Sequence, residues 1–213
     1  YIKAVQNFKK VQGNDRAKAI KRVADISLEN LGDYQDAINY YSELLQISSR
    51  QQYRNAAILG LMQAYFEIND YEATLQYANQ VLEEKMTRFF SKAQLYKGKV
   101  LLAQKNYTDA IGQFQETIKL GMDESAAEAQ YLIGKALHEQ GDYKTSTTQL
   151  IKVKTDFESY SGWIYEAFLL IAENYIALEN LAQAKATLNS IVEYSNDPAY
   201  VQRAQARLQE IES

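Results

Sequence analysis

The chain has 213 residues, 46% of them hydrophobic, with 23 Lys and Arg against 27 Asp and Glu and a formal charge of −4. That balance offers no concentrated basic surface for a phosphate backbone, which argues against a nucleic-acid partner. The absence of Cys rules out disulfides and thiolate metal sites, and no apolar run reaches the ~18 residues of a membrane span.

In chain order, a tyrosine recurs with the same neighbours. Tyr34, Tyr71, Tyr107 and Tyr143 are 37, 36 and 36 residues apart, Leu181 takes the same place 38 further on, and Tyr1 stands 33 before Tyr34. A period of this size, with nine Gly and one Pro, predicts stacked helical hairpins. Three residues after each reference position comes a small residue: Ala4, Ala37, Thr74, Ala110, Ser146, Ala184. Seven after comes Phe8, Tyr41, Ala78, Phe114, Leu150 or Leu188, and ten after comes Val11, Leu44, Val81, Thr117, Val153 or Ile191. Offsets of 0, 3, 7 and 10 draw one stripe on a helix, with the small residue at the close approach of two helices.

A second helix is predicted upstream of each tyrosine. Six residues before it stands Leu28, Tyr65, Leu101, Leu137 or Tyr175; nine before it stands Gly98, Gly134 or Ala172 in the last three repeats, but Asp25 and Met62 in the first two. Gly32-Asp33-Tyr34 and Gly141-Asp142-Tyr143 read as turns, the Gly ending one helix and the Asp capping the next. Asn69-Asp70 and Asn106 serve in the other two. At the end, Asp197-Pro198 opens a helix whose stripe is Tyr200, Ala204, Leu208 and Ile211, with Arg203, Arg207 and other polar residues elsewhere on it.

These residues resemble the tetratricopeptide repeat (TPR) family. The resemblance covers nearly the whole chain, 1–213, as one solenoid: a leading half-repeat at 1–11, helix pairs at 15–47, 51–84, 87–120, 123–154 and 160–193, and a capping helix at 197–213. It departs in period, 36–38 against the usual 34, and in lacking the proline that closes each repeat. It implies an all-α fold, a right-handed superhelical solenoid of antiparallel helix pairs. The long repeats and the many tyrosines also look loosely like multi-repeat proteins of bacterial cell envelopes, which leans towards a bacterial periplasmic or envelope location. Tyr1 falls half-way through a repeat, so an incomplete array is expected; the alternative is an end that self-associates.

In proteins resembling this family the upstream helices line a concave groove. Counting twelve, eight and five residues back from each reference position gives its rows: Leu59, Leu95, Tyr131 and Leu169; Gln63, Lys99, Lys135 and Glu173; Phe66, Leu102, His138 and Ile176, with Arg22, Ile26 and Glu29 the equivalents in the first repeat. Two lysines among Leu, Phe and Tyr suit a peptide with acidic character. The leucines have a competing reading as inter-repeat core. The Lys-then-Asn pairing with which chaperone-binding members clamp a carboxylate is missing.

No phosphate-binding loop, nucleophile elbow or H-E-x-x-H motif is present, and His138 is the only histidine, so no enzymatic role, cofactor or metal is expected. The expected function is a protein-interaction module binding a peptide or protein segment in the groove. The rival reading is a structural element of a bacterial envelope assembly acting through its ends or convex face.

Overall fold

The computed structural model describes residues 2–8 and 15–212. Val11 and the end of the leading half-repeat lie outside the described residues. Among those described, the regular structure is helical: α1 (Ile2–Phe8), α2 (Arg16–Ile26, continued by a π-helical turn, Ser27–Leu31), α3 (Tyr34–Ile47), α4 (Gln51–Glu67), α5 (Tyr71–Glu83), α6 (Phe90–Ala103, preceded by a 3-10 turn, Thr87–Phe89), α7 (Tyr107–Lys119), α8 (Glu124–Glu139), α9 (Tyr143–Asp156), α10 (Ser161–Ala177), α11 (Leu181–Tyr194) and α12 (Pro198–Glu212). The chain divides into two compact units, residues 1–100 and 101–213.

Each recurring position begins a helix: Tyr34, Tyr71, Tyr107, Tyr143 and Leu181 open α3, α5, α7, α9 and α11. The stripe that follows is the core. Ala37, Thr74, Ala110, Ser146 and Ala184 have no exposed surface, and the same holds for Leu44, Val81, Thr117, Val153 and Ile191. The tyrosines themselves are half-buried and Leu181 is exposed, because the first turn of a helix stands at the edge of the contact. Polar members of the stripe are satisfied by backbone: Thr74 Oγ1 donates to the Asp70 carbonyl (2.8 Å) and Thr117 Oγ1 to that of Gln113 (3.1 Å).

In the first unit, α4 is buried on two sides. Ala57, Leu61 and Ala64 join Ile20, Ala24, Tyr41 and Leu44 of α2 and α3, whereas Ile58 and Met62 join Ala78, Val81, Ala93 and Tyr96 of α5 and α6. In the second unit α10 repeats the arrangement: Ala167 and Ile171 meet Leu150 and Val153 of α9, and Ala172 meets Leu188, Ile191 and Ala204 of α11 and α12. A helix packed between a preceding and a following pair needs apolar residues on two faces, which is why α4 and α10 read as hydrophobic nearly all round.

The turns are built alike. Two residues before each reference position the backbone is left-handed, at Gly32, Asn69, Lys105, Gly141 and Glu179. One residue later stands the cap: Asp33, Asp70, Asp142 and Asn180 accept from the backbone N–H three residues on, whereas Asn106 makes no such bond and its amide donates to the Asp109 carboxylate (2.6 Å). Lys105 and Glu179 hold φ of 59°, a conformation that costs a β-carbon-bearing residue about 1 kcal/mol. Lys105→Gly and Glu179→Gly are each expected to raise stability by about 0.5–1 kcal/mol, read as a higher urea midpoint.

The first turn differs. The N–H of Asp70, Asn106, Asp142 and Asn180 returns to the carbonyl five residues back, but Asp33 reaches six back, to Ser27 (2.9 Å). The π turn adds one residue here. Counting from Tyr34 therefore slips by one in α2, and the small residue expected nine back is Ala24, which has no exposed surface, instead of Asp25. Ile26, placed in the groove by that count, is buried at 2% exposure.

Candidate functional site

The groove rows counted from the sequence fall on α4 and α6 in the first unit and on α6, α8 and α10 from Leu102 onward. Leu59, Gln63 and Phe66 of α4 are partly exposed and lie on one helical face. Leu95 and Leu102 are buried, at 2% and 9% exposure, so they offer a ligand little surface. Lys99 is partly exposed; its ammonium sits 5.0 Å from the ring centre of Phe66 and 4.7 Å from that of Tyr96. Those two rings meet edge-to-face at 5.5 Å, and Phe66 also meets Tyr71 at 6.0 Å. The lysine charge is thus held against aromatic faces, which gives the first unit a patch both apolar and cationic.

In the second unit Tyr131, Lys135 and His138 of α8 and Leu169, Glu173 and Ile176 of α10 are all partly exposed. Lys135 stands 4.0 Å from Glu139, one turn on. Tyr131, Leu169 and Glu173 border a cleft of about 400 Å³ whose far wall is α12. That wall is charged in register with α10. Arg203 donates through both terminal nitrogens to Glu166 (2.5 and 3.0 Å), and Arg207 donates to both oxygens of Glu173 (2.7 Å each). The bond to Glu166 holds the proton on Arg203, and the bonds to Glu173 and Glu210 do the same for Arg207. Burial, and then the charge of Glu166, pushes the Tyr131 hydroxyl up to about 12.

A polar network joins α8, α9 and α10. Asn174 of α10 is fully buried. Ser146 Oγ donates to the Gly134 carbonyl (2.7 Å) and Thr147 Oγ1 to that of Tyr143 (2.9 Å), which uses both hydroxyl protons. The Asn174 amide nitrogen must then donate to those hydroxyls, at 2.8 and 3.1 Å. Its oxygen faces His138 Nδ1 at 2.6 Å, so Nδ1 carries the proton and donates. His138 is a hydrogen-bonded member of the scaffold that ties α8 to α10.

Counting from the tyrosine does not find Tyr96, Trp163, Glu166, Tyr200, Arg203 or Arg207. The spacing of the two arginines, four apart on α12, against Glu166 and Glu173, seven apart on α10, was the available signal: both pairs stand on one helical face. Among the described residues no three His, Asp or Glu side chains converge as metal ligands would, and no helix is long and apolar enough to cross a membrane.

Family models of the tetratricopeptide repeat match residues 24–51, 59–124 with 95–146, and 166–195, together more than half of the chain. No curated protein sequence matches it. Among solved structures, a thermophilic TPR protein of Thermus thermophilus is similar at a TM-score of 0.68 and 13% identity, over 91% of this chain and 99% of that one. A TPR protein from Parabacteroides merdae is similar at 0.65 and 16%, over 96% and 75%. YrrB, described as a TPR protein with an unusual peptide-binding site, is similar at 0.51 and 18%, over 96% and 97%. The repeat-opening residues, the buried small-residue stripe and these matches agree: the chain belongs to the tetratricopeptide repeat family, an all-α fold of helix-pair repeats that serves protein interaction.

Proposed function

We propose that the chain is a non-enzymatic binding module that takes a peptide or protein segment along the upstream-helix faces of its repeats. One observation carries the reading. On α8 and α10, which pack against each other, the counted row residues are all partly exposed, and three of them, Tyr131, Leu169 and Glu173, border a cleft beside α12. Exposed apolar side chains with a few placed charges are what a peptide groove requires. The peptide-binding site named for YrrB, a fold neighbour, supports the same use of this architecture.

The apolar anchors are Leu59 and Phe66 in the first unit and Tyr131, Leu169 and Ile176 in the second. Gln63, Lys99 and Lys135 supply polar selection, with acidic peptide groups as their complement. Panning a random peptide library on the purified chain tests this. Leu169→Asp and Tyr131→Ala should each lower the affinity of selected peptides by roughly tenfold, the scale of a lost hot-spot contact. Lys99→Glu and Lys135→Glu should deplete acidic residues from the selected pool. Peptides held equally well by all four variants would place binding on another surface.

A further inference from the structure

A second cleft, of about 560 Å³, opens beside Tyr131 at the N-terminal ends of α8, α10 and α12, within the second unit. Tyr131 and Trp163 line it with ring centres 5.5 Å apart, and Tyr200 closes one side. Ser159, Tyr160, Ser161 and Gly162 also line it. Its size is that of a ligand site rather than a packing defect.

The charged groups that line it are carboxylates, Glu124 and Glu166, and among the described residues no Lys or Arg lines it. The chain itself shows how this chemistry holds a cation. Arg203 sits over the Tyr200 ring at 5.4 Å while Glu166 accepts from both of its terminal nitrogens. Tyr131, Trp163 and the exposed Glu124 line the same cleft and offer the same kinds of group, aromatic rings and a carboxylate. Glu124 stands seven residues before Tyr131, on the same face of α8.

We propose that this cleft receives a lysine or arginine side chain from a partner segment lying along the α8–α10–α12 face, with the Tyr131 and Trp163 rings taking the cation and Glu124 pairing with it. Ring quadrupole and carboxylate both favour a positive group, and an acidic or neutral side chain gains neither. The inference rests on the reading of this face as peptide-binding and adds the charge of the residue taken at this end.

Trp163 is the only tryptophan in the chain, so its emission reports on the cleft directly. The test titrates the whole chain with labelled peptides of alternating Gly and Arg, Gly and Lys, or Gly and Glu, following peptide anisotropy and Trp163 fluorescence together. The basic peptides should bind saturably with a Trp163 response, and weaken several-fold as salt rises from roughly 50 to 500 mM. Glu124→Lys should weaken them by roughly tenfold, the scale of a lost charge-assisted contact. Glu72→Lys, the same change of net charge on exposed surface of the first unit, should leave affinity within about twofold. Gly162→Leu should abolish the Trp163 response, because a side chain there projects beside the Tyr200 hydroxyl, 3.6 Å from an added β-carbon. An equal response to the acidic peptide overturns the inference. Basic-peptide binding with Trp163 silent and Glu124→Lys without effect also overturns it, while leaving the face a peptide site. Loss of both the basic peptides and all library-selected peptides would overturn the two readings together.

Discussion

Asn174→Leu should destabilise the second unit by about 3 kcal/mol, read as a lower midpoint in urea with an unchanged slope. Leu has as many side-chain heavy atoms as Asn and is bulkier, so no cavity forms, and any overpacking adds to the loss. What disappears is a fully buried amide that makes three hydrogen bonds, to His138 Nδ1, Ser146 Oγ and Thr147 Oγ1. Each bond is worth about 1 kcal/mol, and a donor left facing an apolar group costs more. The two hydroxyls keep their bonds to the Gly134 and Tyr143 carbonyls, which limits the loss. The His138 N–H has no such second partner in the network. Asn174→Asp separates the parts: it can still accept from His138 but has no N–H for the hydroxyls, which would have to turn their protons away from those carbonyls. It should therefore also destabilise, although its shape is the same. Stability of Asn174→Leu within about 0.5 kcal/mol of the parent would show that the network orients α8 and α10 without stabilising them.

The repeat was legible because its signals are local. The reference position, the small residue three after it and the stripe to ten after it lie within one helix, and helical geometry alone places them on one face. The residues three, seven and ten after each reference position, from Ala37 to Ile191, are all buried, while the reference tyrosines are half-buried and Leu181 is exposed. The turns were legible for the same reason, although the left-handed residue at two of them is Lys105 or Glu179, neither of which announces that conformation. What the sequence could not show is the extra residue of the π turn after α2. It moves Ala24 into the small-residue place and Ile26 into the core, and a one-residue insertion in a helix has no residue signature of its own. The candidate groove was legible only as an angle around each helix. Leu95 and Leu102 have the right angle but are buried, since exposure depends on what packs beside a helix. For the same reason Arg203 and Arg207 read as polar outer residues, whereas they pair with Glu166 and Glu173 of α10.

Gly134→Ala and Gly112→Ala should shift stability in opposite directions, although both replace a glycine in a helix by the best helix former. At Gly134 of α8, an added β-carbon would stand 2.4 Å from Leu150 Cγ and 2.5 Å from its Cδ2. Cγ is the branch point of a side chain with no exposed surface, so it cannot swing aside. The Gly134 carbonyl also accepts from Ser146 Oγ on α9, which resists any separation of the two helices. Overpacking of this kind costs about 1–3 kcal/mol or somewhat more in a tight contact, against about 1 kcal/mol gained in helix propensity. A net loss of about 1–2 kcal/mol is expected. At Gly112 of α7 nothing lies within 4 Å of an added β-carbon, so the propensity term acts alone and Gly112→Ala should gain about 0.5–1 kcal/mol. A second step isolates the cause. Leu150→Ala alone should cost about 3 kcal/mol through the cavity it leaves, but in the Gly134→Ala background the new methyl occupies part of that space. The double variant should be more stable than the sum of the two losses by about 1 kcal/mol or more. Additive losses would mean that Gly134 is required for its backbone and not for the close approach of α8 to α9.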